Sequence, residues 1–498
     1  MSTSAHPELL APAEPCDPAA RAGARAAAAP RAADEVRRAL SLDALRGFFL
    51  LLMTLGFSIA DGVYPAWMYH RQEPPPTHAF AEIAGLGWRD LAYPAFLFTL
   101  AAAIPISFGL RVARGAGPAQ IAKASLRRFG LLFFFALIVA HSSGYWIGEY
   151  SALSQTLSLV GFGLLCLVFT RRPAGMPPRL YAGLRGFGWV ASIAYLALSP
   201  RLYGQHFDLA RRDGILAELA FASLVSIWLW YATRRDWPLR LAALAATVAL
   251  SLSAQSEGWV ARFWWGSPLP QLFEFAQLKL LCVLIPGSFA GDLLMAWMHP
   301  EPAGRRAPAH WSERRVLALA ALGCASAPLL VVGLYQREVF ATALACFALC
   351  GAALALVRDP HGDGERLLHA LTRLGALWLV LGMLLEPFEG GIKKVPGTLS
   401  YYFATAGSSS LLLAAAVGVV DLLGRRRALR WLAEVGQNPL VAYVLFTLFL
   451  DPLLDFVPGM AGFLRGSPEE QIARSLLSVA LVAGLARELT RRGLFWRA

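Results

Sequence analysis

Apolar stretches long enough to cross a bilayer recur from residue 44 almost to the C-terminus, separated by short polar loops. A spanning helix needs roughly 20 mostly apolar residues. Windows near 44–60, 91–110, 128–143, 152–170, 181–199, 215–232, 239–254, 277–297, 315–334, 339–357, 367–385, 400–420, 438–456 and 470–487 meet or approach that requirement. The pattern predicts an all-α, polytopic integral membrane protein of about 10–14 transmembrane helices. No gap between windows has room for a soluble domain, so residues 39–498 read as one transmembrane domain. Residues 1–38 differ: they are rich in Ala, Pro and Arg, and Arg21, Arg25 and Arg31 interrupt any apolar core that a signal peptide would need. They read as a disordered cytoplasmic leader.

The loops carry the charge, and the charge orients the helices. Arg37 and Arg38 hold the leader inside, so the first span runs outward and loop 61–89 faces the extracytoplasmic side. The loop after the second span contains Arg111, Arg114, Lys123, Arg127 and Arg128 without an acid, as an inner loop should. Further basic groups at Arg234/Arg235/Arg240, Arg305/Arg306/Arg314/Arg315, Arg425/Arg426/Arg427/Arg430 and Arg491/Arg492 fall on the same side, which leaves both termini cytoplasmic. The net charge of +12 is therefore a topological signal. It fits an anionic leaflet of the lipid bilayer, and no basic stretch interleaved with aromatics points to nucleic acid. The six cysteines show neither a disulfide framework nor zinc spacing, and no metal is expected.

Polar residues at the span ends are the candidates for chemistry. The outer loop 61–89 holds His70 and His78, and Asp90 opens the second span. A loop imidazole can take a proton from an attacking group at neutral pH, and a carboxylate can orient that ring. Solvated histidines and a helix-start aspartate are the structural reading of the same residues. The first span begins Ser41, Asp43, Arg46, Gly47, with Ser41 as helix cap and Arg46 either reaching the headgroups or forking onto phosphates. Lys279 and Asp292 bracket a span interrupted by Pro286 and Gly287. Glu386, Glu389, Lys393 and Lys394 crowd one outer loop before Tyr401, either as an ion-pair cluster or as a substrate contact. Asn438 opens a late span on the inner side, where it caps the helix or faces a ligand.

Taken together, these pieces resemble the heparan-α-glucosaminide N-acetyltransferase-like family of transmembrane acyltransferases, in particular its bacterial branch. The resemblance rests on S-x-D-x-x-R-G at Ser41 to Gly47, PAWMYH at Pro65 to His70, PPPTHAF at Pro74 to Phe80 and G-x-x-W-x-D-L-x-x-P at Gly85 to Pro94. It continues in IPGSFAGDLL at Ile285 to Leu294, TLSYYFATAG at Thr398 to Gly407 and GQNPLVAYV at Gly436 to Val444. It implies a multi-pass enzyme of a bacterial inner membrane that moves an acetyl group from cytosolic acetyl-CoA to an extracytoplasmic saccharide acceptor. The family's catalytic histidine, as general base or transient acyl carrier, falls on His78 or His70, with His78 preferred as nearer Asp90 in sequence. Arg46, Asp43, Ser41, Asp292 and Asn438 would face the donor, and Lys393, Lys394 and Tyr401 the acceptor. A homodimer is left open. A transporter or flippase of a glycan or lipid precursor, with the same charges lining a pathway, is the alternative.

Overall fold

In the computed structural model, residues 39–59, 65–71, 83–144, 151–203, 207–299, 311–457 and 466–498 are described. The expected leader and His78 lie outside them. Apolar sequence becomes helix throughout: α1 Leu40–Ser58, α2 Trp88–Ala113, α3 Pro118–Ser142, α4 Ala152–Phe169, α5 Pro178–Tyr203, α6 Gly214–Thr233, α7 Trp237–Ser253 and α8 Trp259–Trp265. Then come α9 Phe275–Met298, α10 Glu313–Tyr335, α11 Val339–Leu356, α12 Asp363–Leu385 and α13 Leu399–Leu422. The chain closes with α14 Arg426–Gly436, α15 Pro439–Phe456 and α16 Pro468–Arg491. Eleven of these are long and apolar enough to span a membrane. The windows on α5, α7 and α16 belong to helices that are shorter or more polar. Ala39–Ala498 packs as one compact unit.

The loops that charge assigns to one side meet one another. Glu434, after the basic run of α14, binds Arg487 and Arg491 of α16 at 2.8 and 3.1 Å. Arg315 donates to the Leu356 and Arg358 carbonyls at 2.6 Å, and Arg171 pairs with Phe495. At the opposite end Gly85 donates to the Ile392 carbonyl at 2.8 Å, and Arg337 pairs with Glu386 at 3.0 Å. The bundle thus has a basic end and an end that gathers loops 65–71, 83–87, 335–338 and 386–398.

Small residues set the closest helix contacts. A Cβ at Gly47 would overlap the Leu432 carbonyl, and one at Gly436 the Asp43 carbonyl, so α1 and α14 touch backbone to backbone. Gly287 and Gly291 do the same for α9 against Phe98 and Ala102 of α2. Within a bilayer, where lipid is as apolar as leucine, such close approach supplies much of the packing energy.

Two helix starts depart from the sequence expectation. Ser41 does not cap α1: the helix begins two residues earlier than a Ser41 cap would give, with Ala39 at the cap. Ser41 is fully buried, and its amide donates to the Asp421 carboxylate of α13 at 3.4 Å. Burial of this end in the bundle lets an acid from another helix satisfy it. Asn438 does occupy the cap position of α15, but its side chain makes no capping bond there. Its side chain accepts from the Trp496 amide at 3.0 Å and donates to the Leu494 carbonyl at 2.9 Å. Fully buried, it pins the C-terminal residues beneath the bundle.

Alanine at Gly47 or Gly436 should force α1 and α14 apart. Overpacking of this kind costs about 1–3 kcal/mol, read as a lowered unfolding midpoint in detergent. Because both glycines serve one contact, the double variant should fall short of the summed losses.

Candidate functional site

Asp90 is the centre of the polar cluster. It sits at the third position of α2, fully buried. A buried carboxylate must be met by donors. One oxygen accepts from the Gly87 amide at 2.8 Å and the Arg71 amide at 3.2 Å. The other meets His70 Nδ1 at 2.6 Å. A Cβ at Gly87 would press on the Tyr69 carbonyl, so glycine there lets segment 69–71 lie over the helix start. Arg71 secures that segment by stacking on Tyr335 at 4.7 Å and donating to the Ala84 carbonyl at 3.4 Å.

Pro94 explains a further contact. In a helix the Asp90 carbonyl would accept from the amide of residue 94, and proline has none. The Tyr401 hydroxyl of α13 takes that place, donating to the Asp90 carbonyl at 2.6 Å. Tyr401, expected from the sequence to face substrate, is buried and positions α2.

The third member of the cluster is Lys394. Its Nζ lies 2.9 Å from His70 Nδ1, 3.2 Å from Nε2 and 3.7 Å from the Asp90 carboxylate. Its loop is held by Glu389, which accepts from the Leu399 and Ser400 amides at 2.8 and 2.7 Å. Thr398 also caps α13 and accepts from the Lys393 amide at 3.1 Å. Lys279 of α9 donates to the Gly397 carbonyl at 3.3 Å. Lys394, rather than Lys393, brings its ammonium to the imidazole.

Burial draws the His70 imidazole down to about 4, helped by the Lys394 ammonium and opposed by Asp90. Burial likewise lowers Lys394, against the pull of Asp90. At neutral pH the ring is therefore uncharged. Nδ1 faces the carboxylate and carries the proton, which places the basic lone pair on Nε2.

The other sequence candidates lie elsewhere. Arg46 donates to the carbonyls of Thr99 at 3.3 Å and Gly436 at 3.4 Å, and pairs with Asp43 at 3.3 Å. Arg128 of α3 lies within electrostatic reach of Arg46 and Arg111. It has no carboxylate partner among the described residues. Between Asp90 and Thr99, α2 rises about 14 Å, so one helix connects the histidine cluster with the arginine cluster. Asp292 is engaged structurally: Arg240, almost fully buried, binds it at 2.6 Å and Trp230 donates to it at 2.9 Å. Sequence reasoning took Arg128 and Arg240 only as topological charges and missed the pair Tyr93–Glu218, joined at 2.5 Å. Glu218 had a signal, as an acid inside an apolar window.

The fold and the two clusters define a class: a polytopic helical membrane protein with a His–Asp–Lys cluster near one end and arginines toward the other. Residues 38–294, just over half of the chain, match the family described as a domain of unknown function (DUF5009), and the chain belongs to that family. Comparison with curated proteins found no match. The matched segment carries His70, Asp90 and Arg46, and the remainder supplies Lys394 and Tyr401.

Removing the Lys394 charge with Lys394→Met should raise the His70 midpoint from about 4 toward the ordinary 6.5, measured by NMR of ¹⁵N-labelled histidine. Between about 4 and 6.5 the unfolded chain binds the proton that the folded one refuses, so the His70 contribution is present above 6.5 and is lost as pH falls to about 4. Tyr401→Phe should cost about 1–3 kcal/mol by orphaning the Asp90 carbonyl. Pro94→Ala, which restores an amide to that carbonyl, should recover part of the loss in the thermal midpoint.

Proposed function

We propose that the protein is a transmembrane acyltransferase that carries an acetyl group from cytosolic acetyl-CoA to a saccharide on the extracytoplasmic side of a bacterial inner membrane. The observation that carries this reading is the neutral imidazole of His70, locked by the buried Asp90 and facing an ammonium, at the opposite end of α2 from Arg111. The family resemblance in the sequence supplies the donor and the acceptor class.

In this reading the base is His70. The acceptor gives its proton to Nε2 as its oxygen or nitrogen attacks the thioester carbonyl. Asp90 stabilises the imidazolium through Nδ1–H, as the acid of a hydrolase triad does. The Lys394 ammonium turns from the ring to the developing oxyanion, in surroundings poor in water. The C–S bond then breaks, and the thiolate recovers the proton from Nε2. Arg46, Arg111 and Arg128 suit the donor's phosphates, since guanidinium forks match phosphate oxygens. The span of about 14 Å along α2 between Arg46's carbonyl contact and Asp90 suits an extended pantetheine arm.

The test is acetyl transfer by protein in nanodiscs, supplied with acetyl-CoA and a sugar acceptor. His70→Ala should lower kcat by about 10²–10⁴-fold, the usual worth of a general base. His78→Ala should leave kcat near that of the parent. Arg128→Gln should raise KM for acetyl-CoA with kcat little changed. Full activity in His70→Ala would exclude the mechanism.

A further inference from the structure

Glu218 is a carboxylate inside the apolar helix α6, one turn after the capping Asp213. Among the described residues its one hydrogen bond comes from the Tyr93 hydroxyl, to Oε2 at 2.5 Å. It caps no helix and has no ion-pair contact at that range. Tyr93 lies three residues, about one helical turn, after Asp90 on α2, so the pair stands beside the His70 cluster along that helix. Tyr401 and Tyr402 are close enough to act on Tyr93, and Lys394, Glu274 and Arg212 are the charged groups that act on Glu218. Acids placed within a span line substrate paths by default, because a purely structural position could be filled by an apolar residue at far lower cost.

The chemistry of the position narrows its ligand. A carboxylate with one oxygen held by a tyrosine offers the lone pairs of the other to a hydrogen-bond donor. Two donor classes are available, hydroxyls and ammonium groups. Lys394 already brings one ammonium to within 2.9–3.2 Å of both ring nitrogens of His70 and acts on Glu218 as well. A second cation in that space would face the Lys394 ammonium and compete with it for the same carboxylates, Asp90 and Glu218. A neutral hydroxyl meets no such cost.

We propose that Glu218, oriented by Tyr93, is the subsite that holds a hydroxyl of the acceptor beside His70, and that the site selects sugar hydroxyls over amino groups, making the transfer an O-acetylation. This rests on the acetyl-transfer reading above. Glu218 is a positioning residue: it binds a hydroxyl of the acceptor, while His70 takes the proton of the attacking one.

The experiment uses the full chain in nanodiscs with acetyl-CoA and two probes, methyl glucoside and glucosamine, with products resolved by mass spectrometry and mild-alkali lability. The expected result is an alkali-labile acetyl ester on methyl glucoside. Glu218→Gln and Tyr93→Phe should each raise KM for methyl glucoside, with Glu218→Gln reaching at least about ten-fold, the worth of one hydrogen bond to a charged group. Their kcat should stay within about two-fold and KM for acetyl-CoA should not change, a split that general destabilisation would not produce. Calorimetric titration of methyl glucoside into His70→Ala, with and without Glu218→Gln, should show the same loss of affinity without turnover. An unchanged KM in a Glu218→Gln protein that still transfers acetyl overturns this inference and leaves the acetyl-transfer reading standing. Amide product on glucosamine at a kcat/KM equal to or above that for methyl glucoside overturns the hydroxyl selectivity. Failure of the parent protein to acetylate either probe overturns the reading, and this inference with it.

Discussion

The rest of the site depends on the burial of one carboxylate. Asp90 has no access to water, and a carboxylate in that position is stable only when protein donors replace its hydration. Two backbone amides and an imidazole do so. Those donors in turn fix where loop 65–71 runs, which face His70 presents and which ring nitrogen keeps the lone pair. The arrangement of the opposing loop follows from the same centre: Lys394 comes within reach of Asp90, and Tyr401 anchors the backbone of Asp90. One buried charge therefore organises two loops that are more than three hundred residues apart in the chain.

A second constraint, close helix packing, decides what lies further in. Arg46 reaches carbonyls on both α2 and α14 because Gly47 and Gly436 allow α1 and α14 to touch. With side chains at those positions α14 would stand off and the guanidinium would lose one of its acceptors. The glycine of S-x-D-x-x-R-G thus serves the arginine beside it. On α9 the glycines of IPGSFAGDLL bring that helix against α2 at Phe98 and Ala102, which also seats Asp292 beside Arg240 and Trp230.

The helical architecture was legible because it rests on apolar runs, and each predicted window lies on a helix. The alternation of loops was legible for the same reason, since positive charge marks one side whatever the tertiary contacts. Asp90, His70 and Lys394 were visible as polar residues at span ends. Their convergence was not, because Lys394 belongs to a distant loop and sequence separation says nothing of distance in space. The preference for His78 came from nearness along the chain; His78 lies outside the described residues, and across the bundle His70 meets Asp90 at 2.6 Å. At Ser41 and Asn438 tertiary contacts override a local expectation. Local cap rules describe a helix end in isolation: the start of α1 is met by Asp421 of α13, and the Asn438 side chain is drawn away from its own helix to the C-terminal residues.

Proline shows how a local rule and a distant contact combine. Pro94 lies within the span and reads as a tolerated irregularity, yet its missing amide leaves a carbonyl in the bundle that only another element can satisfy. Tyr401 does so from α13. The helix that carries Asp90 is thereby coupled to the helix that begins just after Lys394, so the carboxylate and the ammonium are fixed relative to each other by a rigid link, in addition to their mutual attraction. Loops alone would let this distance vary. With the link, α2 carries in one rigid element the acid that orients His70, the tyrosine that holds Glu218 and the carbonyl that receives Arg46. Relative placement along the path is then set by helix geometry, and the side chains at each end need only choose their rotamers.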